Sequence, residues 1–341
     1  MTPAAGLTGA TISGLGAYLP QRVITNDELS LTLDTSDEWI SQRTGIHARR
    51  RAAVGQASSD LALPAGQAAL TQAGLVPEDV DLVIMASISP DHLMPAAAAR
   101  VAFGLGAVNA GSLDVSAGCS GFVYALSLAA GLVISSMMRH VLVVAGEAIS
   151  RVLDWEDRST AVLFGDAGGA ALVSATNGVG GLLAFDLGTD GSGADLLSIP
   201  AGGSRLPASH ATVDGRLHFM KMNGREVYRF ATRVVPRSAR AVLNRAGAQI
   251  EDVALIVPHQ ANTRIIQAVT HKLHAPWERV FINLDRYGNT SCASIPLSLL
   301  EAHEHGRVQA GDLVLLLGFG AGLSWGSCLL RWGGLSRGEA L

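Results

Sequence analysis

AALTQAGLVPEDVDLVIMAS, residues 68–87, returns in altered form as AVLNRAGAQIEDVALIVPHQ, residues 241–260. Aligned without gaps, the two share eight of 20 residues, among them the Ala-Gly step at 73–74 and 246–247 and the Glu-Asp-Val run at 78–80 and 251–253. Each reads as a helix, a glycine stop, a polar turn and a buried strand. The offset is close to half of the 341-residue chain. The chain therefore reads as one α/β unit used twice. Two such halves would stack face to face, with a site where equivalent strand ends meet.

Outward from these segments, apolar runs and helical patterns alternate. Runs at 81–86, 140–145, 161–163, 254–257 and 313–317 read as strands covered on both faces. Helical periodicity predicts helices over 60–73, 95–104, 120–138, 225–246, 262–273 and 295–305. Residues 174–215 are rich in Gly, Ser, Asp and Pro and read as a loop-rich connection. The halves are taken as 1–175 and 176–341.

Composition narrows the class. Hydrophobic residues make up 48% of the chain and charged residues 16%, with mean hydropathy +0.31. That excludes a disordered chain. A net charge of −4 argues against a nucleic-acid coat. Residues 115–138 carry no charge and are long enough to span a bilayer. Five serines and Cys119 interrupt the run, so it reads as a buried helix after a strand and turn, with no membrane contact. No cation precedes Arg22, so the start does not read as a signal peptide. Three cysteines with no close pairs suit a reducing, cytoplasmic compartment.

Cys119 stands in DVSAGCSGF, residues 114–122, where a strand turns into the uncharged helix. A helix N-terminus favours thiolate over thiol. Cys292 and Cys328 lack this setting and read as space-filling. His259 ends a buried strand in VPHQAN, residues 257–262, and Asn289 follows a glycine turn in YGNTSCASIP, residues 287–296. The order Cys, His, Asn also fits papain-like proteases, but the cysteine's local context and the duplication do not. GFGAGLSWG at 318–326 lacks the Lys-Ser/Thr of a phosphate loop and suits an oxyanion hole if it faces Cys119. No spacing suits a metal.

Basic residues are unevenly placed. Arg225, Arg229, Arg233 and Arg237 recur every four residues and draw a stripe on one helix. Val227, Phe230, Val234, Val235 and Leu243 cover its other face, and Pro236 predicts a kink. Such a stripe suits an anionic partner. A second cluster, Arg43 with Arg49, Arg50 and Arg51, follows Trp39 and suits a nucleotide with its phosphates.

TSDEWISQRTGI at 35–46, DVSAGCSGFVYAL at 114–126, FGDAGGAALV at 164–173, VPHQAN, GNTSCASIP and GFGAGLSWGS at 318–327 together resemble the β-ketoacyl-acyl-carrier-protein synthase III family of the thiolase superfamily. The resemblance runs from about residue 8 to 333. It implies an α/β, thiolase-like five-layer αβαβα fold of two duplicated halves, and a homodimer. It implies Cys119, His259 and Asn289 as catalytic residues, with the backbone N–H groups of Cys119 and Ala321 as the oxyanion hole. Trp39 and Arg158 would sandwich the CoA adenine, with Thr35, Arg43, Gly224, Tyr228 and Asn262 along the CoA channel. Met94 would serve the acyl pocket across the dimer. Arg264 and the stripe at Arg225, Arg229, Arg233 and Arg237 would dock the acyl carrier protein. The implied reaction joins an acyl-CoA primer to malonyl-acyl carrier protein with loss of CO₂, initiating fatty acid synthesis without cofactor or metal. Relatives of the same fold make quinolones or polyketide starters, or transfer acyl groups without condensing. Ser159, after Arg158, and Cys292 depart from the family's glycine and alanine.

Overall fold

The computed structural model describes residues 9–178 and 180–335. Residues 1–8, on which part of the N-terminal reading falls, lie outside them. The two related segments fold alike. The helix Ser58–Ala73 stops at Gly74 with φ 67°, and the helix Gly224–Ala246 stops at Gly247 with φ 66°. Glycine is suited to this left-handed backbone because it has no Cβ to clash. A single 3₁₀ turn follows each stop. The side chain of Asp79 accepts from Val76 N–H at 3.1 Å, and that of Asp252 accepts from Gln249 N–H at 2.8 Å. The buried strands Leu82–Ala86 and Val253–Pro258 come next.

Each of these strands belongs to a mixed sheet. The first runs in the order Gly9–Tyr18, Ala167–Thr176, His140–Glu147, Leu82–Ala86, Gly111–Val115. The second runs Val253–Pro258, Leu313–Gly320, Ser324–Arg331, Gly181–Thr189. Between the sheets lie the helices Gly121–Ile134 and Ser294–Glu304, which share one apolar core with both. Ser58–Ala73 and Ala97–Leu105 cover the outer face of the first sheet. Gly224–Ala246 and Thr263–Leu273 cover the outer face of the second. The result is five layers, α-β-α-β-α. The uncharged run supplies the central helix, whose Phe122, Val123, Ala125, Leu126 and Ala129 are fully buried. A helix apolar on all sides requires such a position. No helix among the described residues is long and apolar enough to cross a membrane.

Two expectations change. Residues 161–163 are not a strand: Asp157 accepts from Ser159 N–H and caps the short helix Arg158–Ala161. The stretch 174–215 is not mainly loop, because Gly181–Thr189 is the edge strand of the second sheet, paired with Ser324–Arg331. Its half-exposed, alternating burial hides it from a search for fully apolar runs. The arginine-bearing helix runs as one element through Pro236, the position of the expected kink.

Candidate active site

The strand Gly111–Val115 ends at the turn carrying Cys119, and Ser120, whose hydroxyl donates to Ala117 O at 2.6 Å, immediately precedes the central helix. Two backbones close on this turn. A Cβ on Gly118 would lie 2.5 Å from Ala321 N, and one on Gly320 would lie 2.3 Å from Cys119 N. Only glycine permits that approach, which brings the amides of Cys119 and Ala321 onto facing chains. Ser324 Oγ stitches the turns together, with Ala117 O at 2.7 Å, Ala321 O at 2.8 Å and Ser120 Oγ at 2.9 Å.

Asn289 is fixed at both its backbone and side chain. Its N–H donates to Leu163 O at 2.8 Å, and its carbonyl accepts from Gly165 N–H at 3.0 Å. Its Oδ1 accepts from Ser291 N–H at 2.9 Å. The amide NH₂ is then the group left for the cavity that Asn289 lines. His259 follows the strand Val253–Pro258, and its N–H donates to Leu317 O at 2.7 Å. Its Nδ1 lies 2.7 Å from Ser294 Oγ, and Phe319 packs edge-on with ring centres 5.3 Å apart. Burial lowers the His259 pKa to about 3, so the imidazole is neutral at ordinary pH.

The expectation of a resting thiolate is overturned. Burial pushes the Cys119 thiol up to about 12, the Ser291 hydroxyl pulls back only part of this, and the Glu147 carboxylate adds to the rise. Desolvation of a nearly inaccessible sulfur outweighs the helix terminus. Cys292 also does more than fill space, because its thiol donates to Gly118 O at 3.1 Å.

Sequence reasoning missed four participants. Ser291 Oγ donates to Cys119 Sγ at 3.3 Å, Ser294 holds His259, and Phe319 packs on His259. All three lie inside the quoted motifs, but only the folded turns give them a task. Glu147 is the fourth. Fully buried at the end of an apolar strand, it accepts from Ser89 Oγ–H at 2.8 Å, Ile88 N–H at 3.2 Å and Cys292 N–H at 3.3 Å. Burial raises its pKa, and the hydrogen bonds oppose the rise.

Two cavities meet at Cys119. The first, about 690 Å³, is lined by Cys119, His259, Asn289, Gly224, Tyr228 and Asn262, with the exposed Arg43, Arg225 and Arg264 at its rim. The second, about 490 Å³, lies on the Ala321 side. Met94 lines neither within one chain and is 84% exposed. Among the described residues, no three His, Cys, Asp or Glu side chains gather as a metal would need.

Trp39, Thr35 and Arg158 sit apart from the first cavity. The guanidiniums of Arg43 and Arg158 lie 4.6 and 4.8 Å from the Trp39 ring centre, and Arg158 also donates to Asp34 O. Arg158 thus rests on the ring, and a base can enter between them only if it swings away. Thr35 Oγ1 is buried and unpartnered. The second arginine cluster disperses. Arg49 is fully buried, donating to Asn26 Oδ1 at 2.7 Å and Val162 O at 2.6 Å. Arg50 donates to Pro20 O, and Arg51 stacks on Trp155. Only Arg43 remains at the cavity. The stripe survives on an otherwise mostly buried helix: Arg225, Arg229, Arg233 and Arg237 are all exposed. Arg229 pairs with Glu226 at 2.8 Å, and Arg237 stacks on Trp325.

Comparison with known proteins agrees with this architecture. Residues 113–191 match the family described as 3-Oxoacyl-[acyl-carrier-protein (ACP)] synthase III, and residues 243–332 match its C-terminal family. Beta-ketoacyl-[acyl-carrier-protein] synthase III of Caldanaerobacter subterraneus subsp. tengcongensis is 48% identical over 323 residues, covering 95% of this chain and 98% of that protein. The protein of the same name from Symbiobacterium thermophilum is 49% identical over 322 residues, covering 94% and 98%. The crystal structure of 3-oxoacyl-(acyl carrier protein) synthase III from Pseudomonas aeruginosa PAO1 superposes with TM-score 0.89 at 44% identity, covering 96% of this chain and 99% of that one.

Proposed function

The chain belongs to the β-ketoacyl-acyl-carrier-protein synthase III family, and from that premise we propose that Cys119, His259 and Asn289 are its catalytic residues. It is an acyl-transferring condensing enzyme that initiates fatty acid synthesis. The observation that carries the site assignment is the convergence of these three side chains on one cavity rimmed by arginines.

In the first half-reaction, the sulfur of Cys119 bonds to the thioester carbon of an acyl-CoA. The carbon–sulfur bond to CoA breaks, and CoA leaves with the proton. The tetrahedral oxygen accepts from the N–H groups of Cys119 and Ala321. Forming this acyl-enzyme splits one difficult step into two. Arg43, Gly224, Tyr228 and Asn262 line the channel of CoA, and Thr35, Trp39 and Arg158 take its adenine end.

In the second half-reaction, malonyl-acyl carrier protein loses CO₂. The bonding electrons pass to an enolate whose oxygen accepts from Asn289 Nδ2–H and His259 Nε2–H. Each such donor is worth about 3 kcal/mol. The carbanion then attacks the acyl carbon and Cys119 departs. Decarboxylation itself supplies the carbanion, so the site needs neutral donors and no strong base, cofactor or metal.

The exposed stripe at Arg225, Arg229, Arg233 and Arg237, with Arg264, docks the acidic carrier protein. The protein works as a cytoplasmic homodimer, and Met94 serves the acyl pocket across that dimer. The halves part at 175/176. The last strand of the first sheet ends at Thr176, one residue past this division, and the first strand of the second begins at Gly181.

Intact-mass spectrometry tests the reading. An acyl-CoA adds its acyl mass to the protein, and Cys119→Ser abolishes the addition. Undiminished acylation of Cys119→Ser, or acylation of another cysteine, overturns it.

A further inference from the structure

The Cys292 thiol donates to Gly118 O at 3.1 Å, and that oxygen belongs to the same peptide unit as the Cys119 N–H. The peptide is trans, so its carbonyl and its amide hydrogen point in opposite directions across one plane. Whatever holds the carbonyl therefore aims the hydrogen. Two donors hold it: Gly121 N–H at 3.0 Å and the Cys292 thiol.

Cys292 is itself held. It is fully buried, and a Cβ on Gly121 would lie only 3.1 Å from its sulfur. Its N–H donates to Glu147 Oε1 at 3.3 Å. The thiol has one hydrogen, and the Glu147 carboxylate is a second acceptor near it. Each oxygen of that carboxylate already accepts twice. Oε1 takes Ile88 N–H and Cys292 N–H, and Oε2 takes Ile88 N–H and Ser89 Oγ–H. Beside the bond from Gly121, Gly118 O has a lone pair to offer, and the thiol hydrogen goes there.

We propose that Cys292 is a positioning residue for the oxyanion hole: its thiol, located by Glu147, fixes the Gly118–Cys119 peptide so that the Cys119 N–H meets the oxygen of the tetrahedral intermediate. The proposal rests on the acyl-Cys119 reading above and adds a residue to that site. A bond to the carbonyl also polarises the amide, which makes its N–H a stronger donor. Alanine, which the resemblance implies at this position, cannot make the bond.

The test compares two reactions of the same sulfur. Acylation of Cys119 by an acyl-CoA passes through an oxyanion. Alkylation by iodoacetamide displaces iodide at a saturated carbon and forms none. Both rates are followed by the mass of the Cys119 peptide, using acetyl-CoA and octanoyl-CoA as acyl probes. Cys292→Ala should lower the saturating acylation rate relative to alkylation by about three- to tenfold, with KM for the acyl-CoA little changed. Cys292→Ser, which keeps a donor, should restore the ratio to within about twofold of the unaltered chain. Cys292→Val fills the space without a donor and serves should Cys292→Ala fail to fold. An unchanged ratio in a folded variant without the donor overturns the proposal. A loss that Cys292→Ser shares also overturns it, because packing and not the hydrogen bond would then be at work. If neither acyl-CoA labels Cys119 in the unaltered chain, the nucleophile reading itself falls and this assignment falls with it.

Discussion

Ser291 donates its hydroxyl hydrogen to Cys119 Sγ at 3.3 Å. Apart from the cysteine's own backbone, it is the one group identified as drawing this buried thiol back toward ionisation. The residue sits on left-handed backbone, φ 48°, in the same turn that fixes Asn289. One short turn therefore serves both the sulfur and the enolate site.

Removing that hydroxyl should slow the first half-reaction. A hydrogen bond to a charged group is worth about 1.5–3 kcal/mol, so Ser291→Ala should reduce acylation of Cys119 about 10- to 100-fold. The pH midpoint for alkylation by iodoacetamide should move up from its already raised position. An unchanged midpoint would show that the 3.3 Å contact does not act on the thiolate.

Ser294 acts on the other half-reaction. Its oxygen is 2.7 Å from His259 Nδ1 and also 2.7 Å from Ser291 O. The ring nitrogen that carries the proton is set by the bond its partner nitrogen makes. Ser294 has one hydroxyl hydrogen, for which Ser291 O and Nδ1 compete as acceptors; when it goes to Nδ1, Nε2 holds the hydrogen that the enolate oxygen needs. Ser294→Ala should lower condensation kcat about tenfold or more while acylation of Cys119 by acyl-CoA falls far less. Ser294→Thr should restore much of the loss. Equal losses in both half-reactions would point to a general disturbance of the turn.

His259 also sets a stability trend with pH. Burial holds its pKa near 3 in the folded chain, against 6.5 for the free side chain. Below pH 6.5 the unfolded chain takes up a proton that the folded chain refuses. This contribution to stability is complete above 6.5 and is lost as pH falls toward 3, by up to about 5 kcal/mol. Other groups titrate in the same window, so the measurement is a difference. Urea unfolding of His259→Gln should show a shallower acid-side loss than the unaltered chain between pH 4 and 7. Parallel curves would contradict the neutral, buried imidazole.

The sequence carried the parts of this architecture that depend on local rules. Gly74 and Gly247, with Asp79 and Asp252 behind them, mark two equivalent stops because helix termination is a local event. Cys119, His259 and Asn289 stand at turns whose glycines are visible in the motifs. What tertiary packing decides was not visible. Arg49 reads as a surface cation, yet it is enclosed and bonded to backbone far along the chain, where burial lowers its pKa to about 10. A helix terminus argues for a thiolate at Cys119, while the desolvation that reverses this comes from layers folded over it. Gly181–Thr189 is half-exposed as an edge strand and so lacks the continuous apolar signal of an inner one.

The arginine stripe yields the last prediction. Arg229 and Arg233 are exposed on a helix whose opposite face is buried, and Arg225 and Arg264 carry the same charge to the rim of the cavity. Charges at such a rim govern encounter and orientation more than the chemistry that follows. Reversing two of them, Arg229→Glu with Arg233→Glu, should raise KM for malonyl-acyl carrier protein about tenfold or more and leave kcat at saturation much less affected. Salt should have the complementary effect. It raises KM of the unaltered enzyme by screening exposed charges, and this dependence should flatten in the double variant. The loss of the Arg229–Glu226 pair costs little, because exposed pairs contribute about 0–1 kcal/mol, so a fall in melting temperature cannot account for the change. Unaltered KM and salt dependence in a folded double variant would move carrier docking to another face.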